Sequence, residues 1–98
     1  MKTTQLRQYV IVDGLYEEFV AWWQETMPVL RPAMGFAIEF AYGSPESNEF
    51  TWAVSVPGDR AEFERVDAAY KVSPERAAVF DGLPDRVASM QLSFIETY

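Results

Sequence analysis

VIVDGLYEEF, Val10–Phe19, and VSVPGDRAEF, Val54–Phe63, share the pattern V-x-V-x-G-x-x-x-E-F at an offset of 44 residues. In each copy a β-branched alternation stops at a glycine, and Glu-Phe follows where a helix would complete its first turn. Each copy therefore reads as a strand end, a glycine turn and a helix start. Two such copies predict two β-α-β units.

Working outward, period-2 alternation marks four strands. Leu6, Val10 and Val12 share a face of the first, and Phe36, Ile38, Phe40 and Tyr42 one of the second. Phe50, Trp52, Val54 and Val56 do so in the third, and Ala88, Met90, Leu92 and Phe94 in the fourth. YGSPESNE, Tyr42–Glu49, supplies the turn residues of a hairpin between strands two and three. The predicted order is β-α-β-β-α-β.

The first helix is expected from about Leu15, with Gly35 as its stop and a kink or break at Pro28, which has no amide hydrogen to donate. Asp59 and Glu62 have capping-box spacing at the start of the second helix. SPER, Ser73–Arg76, offers a serine cap followed by proline at the first helical position, predicting a short third helix. DGLPD, Asp81–Asp85, reads as a loop into the last strand. The adjacent tryptophans of the first helix point about 100° apart. Trp23 falls in the middle of the apolar stripe and Trp22 at its edge, so Trp23 is expected in the core and Trp22 at its margin.

Ninety-eight residues make one domain, expected to span 1–98 and to bury roughly 60–70% of its unfolded surface. Aromatics make up 15% of the chain, more area than a small monomer easily hides, which suggests a second buried surface. A net charge of −7 opposes binding to nucleic acid or to anionic membrane surfaces. The absence of cysteine and of an apolar leader run points to the cytoplasm. With no histidine there can be no Ser-His-Asp triad, no haem ligation by His and no His-built zinc site, so no cofactor is assigned.

The strand order predicts an α+β, ferredoxin-like plait: a four-stranded antiparallel sheet with helices on one face. The expected open face carries Arg7, Tyr9 and Ile11, Ala37, Glu39 and Ala41, Thr51, Ala53 and Ser55, and Ser89, Gln91 and Ser93. It is small and mixed, and a second copy of the chain would close it. This pattern resembles the dimeric α/β-barrel superfamily and, within it, the NIPSNAP-like proteins. The residues that carry the resemblance are LRQY (Leu6–Tyr9), EEFVAWW (Glu17–Trp23), NEFTWAV (Asn48–Val54) and, most specifically, DAAYKVSPERAAVF (Asp67–Phe80). The resemblance implies a homodimer with its sheets face to face and, in each subunit, a cleft between helices and sheet. It implies little about the reaction. Superfamily relatives include haem-degrading and cofactor-free quinol monooxygenases and polyketide or aldoxime enzymes, many with a histidine in the cleft that this chain lacks. Its one asparagine, Asn48, sits in a turn, which argues against an Asn-dependent oxygen-activating site.

Six side chains are the site candidates. Arg7, pointing from a strand into a buried face, needs a partner such as Glu39, Glu96, a carbonyl or a bound anion, at a dimer interface or a ligand. Glu39, alone among apolar neighbours, would have a raised pKa and could act as a general base, whereas a salt bridge would lower it. Tyr70 offers a hydroxyl to a carbonyl or phenolate, which makes it the second catalytic candidate. Trp22 and Trp52 could line an aromatic cleft, and Arg76 could anchor an anionic group at its mouth. Glu17, Glu18, Glu25 and Asp13 read as a solvated face. The functional expectation is a homodimer that binds a small apolar or aromatic molecule and, if catalytic, acts on it without a cofactor. The alternative is a non-catalytic assembly or accessory module; a third reading, cofactor-independent oxygenation, rests on superfamily analogy.

Overall fold

A computed structural model describes residues 1–98 and places seven elements in the expected order. They are β1 (Lys2–Ile11), α1 (Tyr16–Ala33), β2 (Ala37–Ser44), β3 (Glu49–Pro57), α2 (Arg60–Lys71), α3 (Pro74–Phe80) and β4 (Val87–Ile95). The sheet order is β2-β3-β1-β4 with every neighbouring pair antiparallel, the ferredoxin-like arrangement. The sequence repeat has a structural counterpart. Gly14 and Gly58 both take left-handed φ angles, 83° and 110°, that a side chain would strain. Phe19 and Phe63, five residues beyond each glycine, are the first residues their helices bury. Both caps form as expected: Asp59 accepts from the Glu62 amide at 3.0 Å and Ser73 from the Arg76 amide at 3.2 Å. The reciprocal arm of the capping box is absent, because the Glu62 carboxylate pairs with Arg65.

Two strands differ from the alternation reading. In β1 the residues beneath the helices are Gln5, Arg7, Tyr9 and Ile11, in register with Val54, Trp52 and Phe50 of β3; Leu6 and Val10 point away. Both phases of this strand carry apolar residues, so alternation alone cannot choose. The chain buries the bulkier pair, Tyr9 and Ile11, and the polar residues that come with them satisfy one another. Arg7 Nη1 donates to Gln5 Oε1 at 2.7 Å and Arg7 Nε to Tyr9 Oη at 2.8 Å. In β2 the register slips between Ile38 and Phe40, so Phe40 pairs with Ala53 and Tyr42 with Thr51 on the open face. Their rings stack there at 5.0 Å. The open face thus presents Leu6, Val10, Phe40, Tyr42 and Ile95, and is more apolar than expected.

α1 runs as one helix through Pro28 and Pro32, so the break that was one of the two alternatives expected at Pro28, a kink or a break, does not occur. Both prolines lie on the exposed side of the helix, as does Gln24, whose carbonyl loses its partner to Pro28 and is left for water to satisfy. The buried side of α1 runs Phe19, Trp23, Met27, Leu30 and Arg31, and Trp23 is core as expected. With Tyr9, Ile11, Phe36, Phe50, Trp52, Val54, Val56, Phe63 and Tyr70, the apolar members of that side form one continuous cluster.

Gly43 is required by close packing. A Cβ there would stand 1.8 Å from the Tyr16 hydroxyl and 3.3 Å from the Phe50 ring. Gly43→Ala should therefore cost about 1–3 kcal/mol in urea unfolding. Adding Tyr16→Phe, which removes the nearest atom, should recover about half of it; a loss unchanged in the double variant would mean that the clash lies elsewhere.

Candidate functional site

β4 is an edge strand; of its residues that face the helical layer, Phe94 packs on Phe63 of α2, and the middle of the strand is left uncovered. Met90 and Leu92, on that side opposite Tyr9 and Arg7, are 53% and 43% exposed. Between them and α1 lies a cleft of about 590 Å³. Its floor is Arg7, Tyr9 and Trp52, one wall is Trp22, Trp23, Met27 and Arg31 of α1, and the other is β4. Tyr70, Arg76, Phe80 and the Leu83–Arg86 stretch complete it. Twelve of the twenty lining residues are hydrophobic, the composition of a small-molecule site.

Five of the six sequence candidates meet here: Arg7, Trp22, Trp52, Tyr70 and Arg76. Trp22 is half-buried, with Phe19 on one side at 5.8 Å and Phe80 on the other at 5.1 Å. Arg76 lies over the Phe80 ring at 4.3 Å and 5.7 Å from that of Tyr70, at the rim. Arg7 lies 5.4 Å from the Trp52 ring, on the helix side of the sheet rather than the open face, and its hydrogen-bond partners are neutral.

Glu39 is absent from the cleft. It projects from the β2 irregularity on the open face, where its carboxylate accepts from Lys2 Nζ at 2.8 Å and Ser55 Oγ at 2.6 Å. These two bonds stabilise the charged form and hold its pKa below the usual carboxylate range, the reverse of the raised value expected for a general base. Glu39 and Tyr70 therefore do not form an acid-base pair.

Two arginines went unread in the sequence. Arg31 is 3% exposed, in the last turn of α1, with its guanidinium carbon 4.2 Å from the Tyr70 ring centre, 4.6 Å from Phe36 and 5.1 Å from Trp52. It has no ion-pair partner, and its Nε and Nη1 have no hydrogen-bond partner. Burial lowers its pKa to about 10, with Tyr70 opposing that fall and Arg7 adding to it. A signal was present: Phe19, Trp23, Met27 and Arg31 form an i, i+4 ladder that carries the arginine onto the buried stripe. Arg86, 7% exposed, covers the Trp22 ring at 4.9 Å and reaches Glu18 at 3.5 Å, so Glu18 is more than a solvated charge. No group of three or more acidic side chains is placed to hold a metal, and no helix is long and apolar enough to cross a membrane.

The α+β plait is an architecture shared with solved structures. An uncharacterised NIPSNAP domain protein from Burkholderia xenovorans superposes with a TM-score of 0.82 at 13% identity, over 100% of this chain and 95% of that one. A NIPSNAP family protein from Agrobacterium tumefaciens gives 0.85 at 9% identity, over 100% and 94%. A candidate antibiotic biosynthesis monooxygenase from Bacteroides thetaiotaomicron gives 0.69 at 19% identity, over 98% and 89%. No protein-family model matches the sequence, and no curated protein does. The fold is that of the NIPSNAP domain proteins, as the sequence resemblance implied.

Proposed function

We propose that this chain is a homodimeric small-molecule-binding protein of NIPSNAP-like type that takes an apolar or aromatic molecule into the cleft between α1 and the sheet. The observation that carries this reading is the cleft itself: about 590 Å³, walled largely by aromatic and aliphatic side chains, of which Phe80, Leu83, Met90 and Leu92 are left exposed. Dimerisation is supported by the open face, where Leu6, Val10, Phe40, Tyr42 and Ile95 form an apolar surface that a second copy would cover. If the protein is catalytic, Tyr70 is the proton donor or acceptor within reach of a bound molecule, and Glu39 is not.

The test is titration of the chain with small aromatic compounds, followed by tryptophan fluorescence and thermal shift. Binding should quench Trp22 and raise the melting temperature. Trp22→Ala should weaken binding about tenfold while costing less stability than the roughly 3–5 kcal/mol of a fully buried tryptophan, since Trp22 is only half-buried. A chain that no small aromatic compound stabilises would support the assembly-module alternative. Sedimentation at micromolar protein should find two copies together.

A further inference from the structure

We propose that the cleft selects an anion, namely an aromatic or apolar body bearing a carboxylate or a similar oxyanion, and that Arg31 is the group that meets the charge. This rests on the cleft being a ligand site and adds the chemistry of what it admits. Five buried side-chain polar atoms in the chain have no partner: the indole nitrogens of Trp22, Trp23 and Trp52, and Nε and Nη1 of Arg31. Every one is a donor, and every one belongs to a cleft residue. Chains seldom leave buried polar groups unpaired, and here the shortage is made only of donors and is gathered around one cavity.

The charge distribution points the same way. The chain has 8 Lys and Arg against 15 Asp and Glu. Yet Arg7, Arg31, Lys71, Arg76 and Arg86 all line the cleft, whereas only two carboxylates do, Asp67 and Asp85. Both are engaged: Asp67 pairs with Lys71 at 3.0 Å, and Asp85 accepts from the Val87 amide at 3.1 Å. Arg31 thus stands among ring faces and other cations, and the one carboxylate whose charge acts on it, Asp67, is already paired with Lys71. The rings of Tyr70, Phe36 and Trp52 partly compensate for its lost water but provide no counter-charge. Nη2 is the one guanidinium nitrogen not walled in, and an oxyanion in the cleft would supply both charge and acceptor there.

Calorimetric titration of the full chain with 1-naphthoate, 1-naphthalenemethanol and 1-naphthylmethylammonium tests this, since the three share a ring system and differ in charge. Naphthoate should bind about tenfold or more tightly than the alcohol, the margin of a hydrogen bond to a charged group, and the ammonium should not bind. Arg31→Met should abolish the preference and leave alcohol binding intact. Arg31→Lys, which keeps the charge, should retain part of it and serves if the methionine variant does not fold. Equal binding of naphthoate and alcohol would overturn anion selection while leaving the cleft reading standing. A preference that persists in Arg31→Met would overturn the assignment to Arg31. Binding of none of the three would overturn the cleft reading itself.

Discussion

Trp52→Ala should remove about 3–5 kcal/mol of folding stability, a large share of the roughly 5–15 kcal/mol available to a domain of this size. Trp52 lies on the central strand β3, is 2% exposed, and meets Tyr9 and Trp23 edge-to-face at 6.2 and 5.3 Å. Such pairs add about 0.5–1.5 kcal/mol beyond the area they bury. The same ring lies 5.4 Å from Arg7 and 5.1 Å from Arg31, so its loss also deprives both cations of the surface that helps them tolerate burial. Urea unfolding should show the midpoint collapse, and the melting temperature should fall by at least about 12 °C. Trp52→Phe, which keeps a ring against Trp23, should fall between. A loss under about 1 kcal/mol for Trp52→Ala would mean that the tryptophan serves the cleft alone and that the core closes without it.

Local signals made much of this fold legible. The repeat around Gly14 and Gly58, the serine and aspartate caps, and the alternation of β3 each specify a conformation within a few residues, so context has little to override. β1 is different. Its two faces are nearly equal in apolar content, and the choice between them is made by what Tyr9, Arg7 and Gln5 do for one another across i, i+2 spacings once buried. The register slip beside Glu39 leaves no mark in alternation, yet it moves Phe40 and Tyr42 to the opposite face and takes Glu39 to Lys2 and Ser55.

The site shows the same division. Trp22, Trp52, Tyr70, Arg76 and Arg7 were readable as residue types suited to a cleft. Arg31 was not, because a charged residue near a helix end ordinarily complements the helix dipole from the surface. Only the i, i+4 ladder from Phe19 places it inward, and only the packing of Tyr70 and Phe36 around it reveals that no carboxylate forms an ion pair with it. An arginine so placed is a liability to folding, and that liability is measurable.

Replacing Arg31 with methionine should make the protein more stable, by about 1–2 kcal/mol, or roughly 4–16 °C in melting temperature. A guanidinium whose pKa is pushed by burial from its ordinary value down to about 10 is disfavoured as a cation by about 3 kcal/mol relative to water. The sign follows from linkage. Below pH 10 the arginine is charged in both the folded and unfolded chains, and the folded state bears the whole penalty. Above about pH 10, and until the ordinary arginine range is reached, the folded chain releases the proton that the unfolded chain keeps, so this group's contribution to stability rises with pH there. At neutral pH the penalty is complete. Attraction to the rings of Tyr70, Phe36 and Trp52 offsets part of it, at about 0.5–2 kcal/mol for a cation over aromatic faces. Methionine keeps most of the stem's packing against those rings and introduces no charge. Thermal unfolding of the two proteins at pH 7 decides the matter, and a melting temperature lowered by Arg31→Met would show that the cation holds the core together. The gain should shrink when naphthoate is present, because the ligand binds the arginine form more tightly and so stabilises it more than the variant.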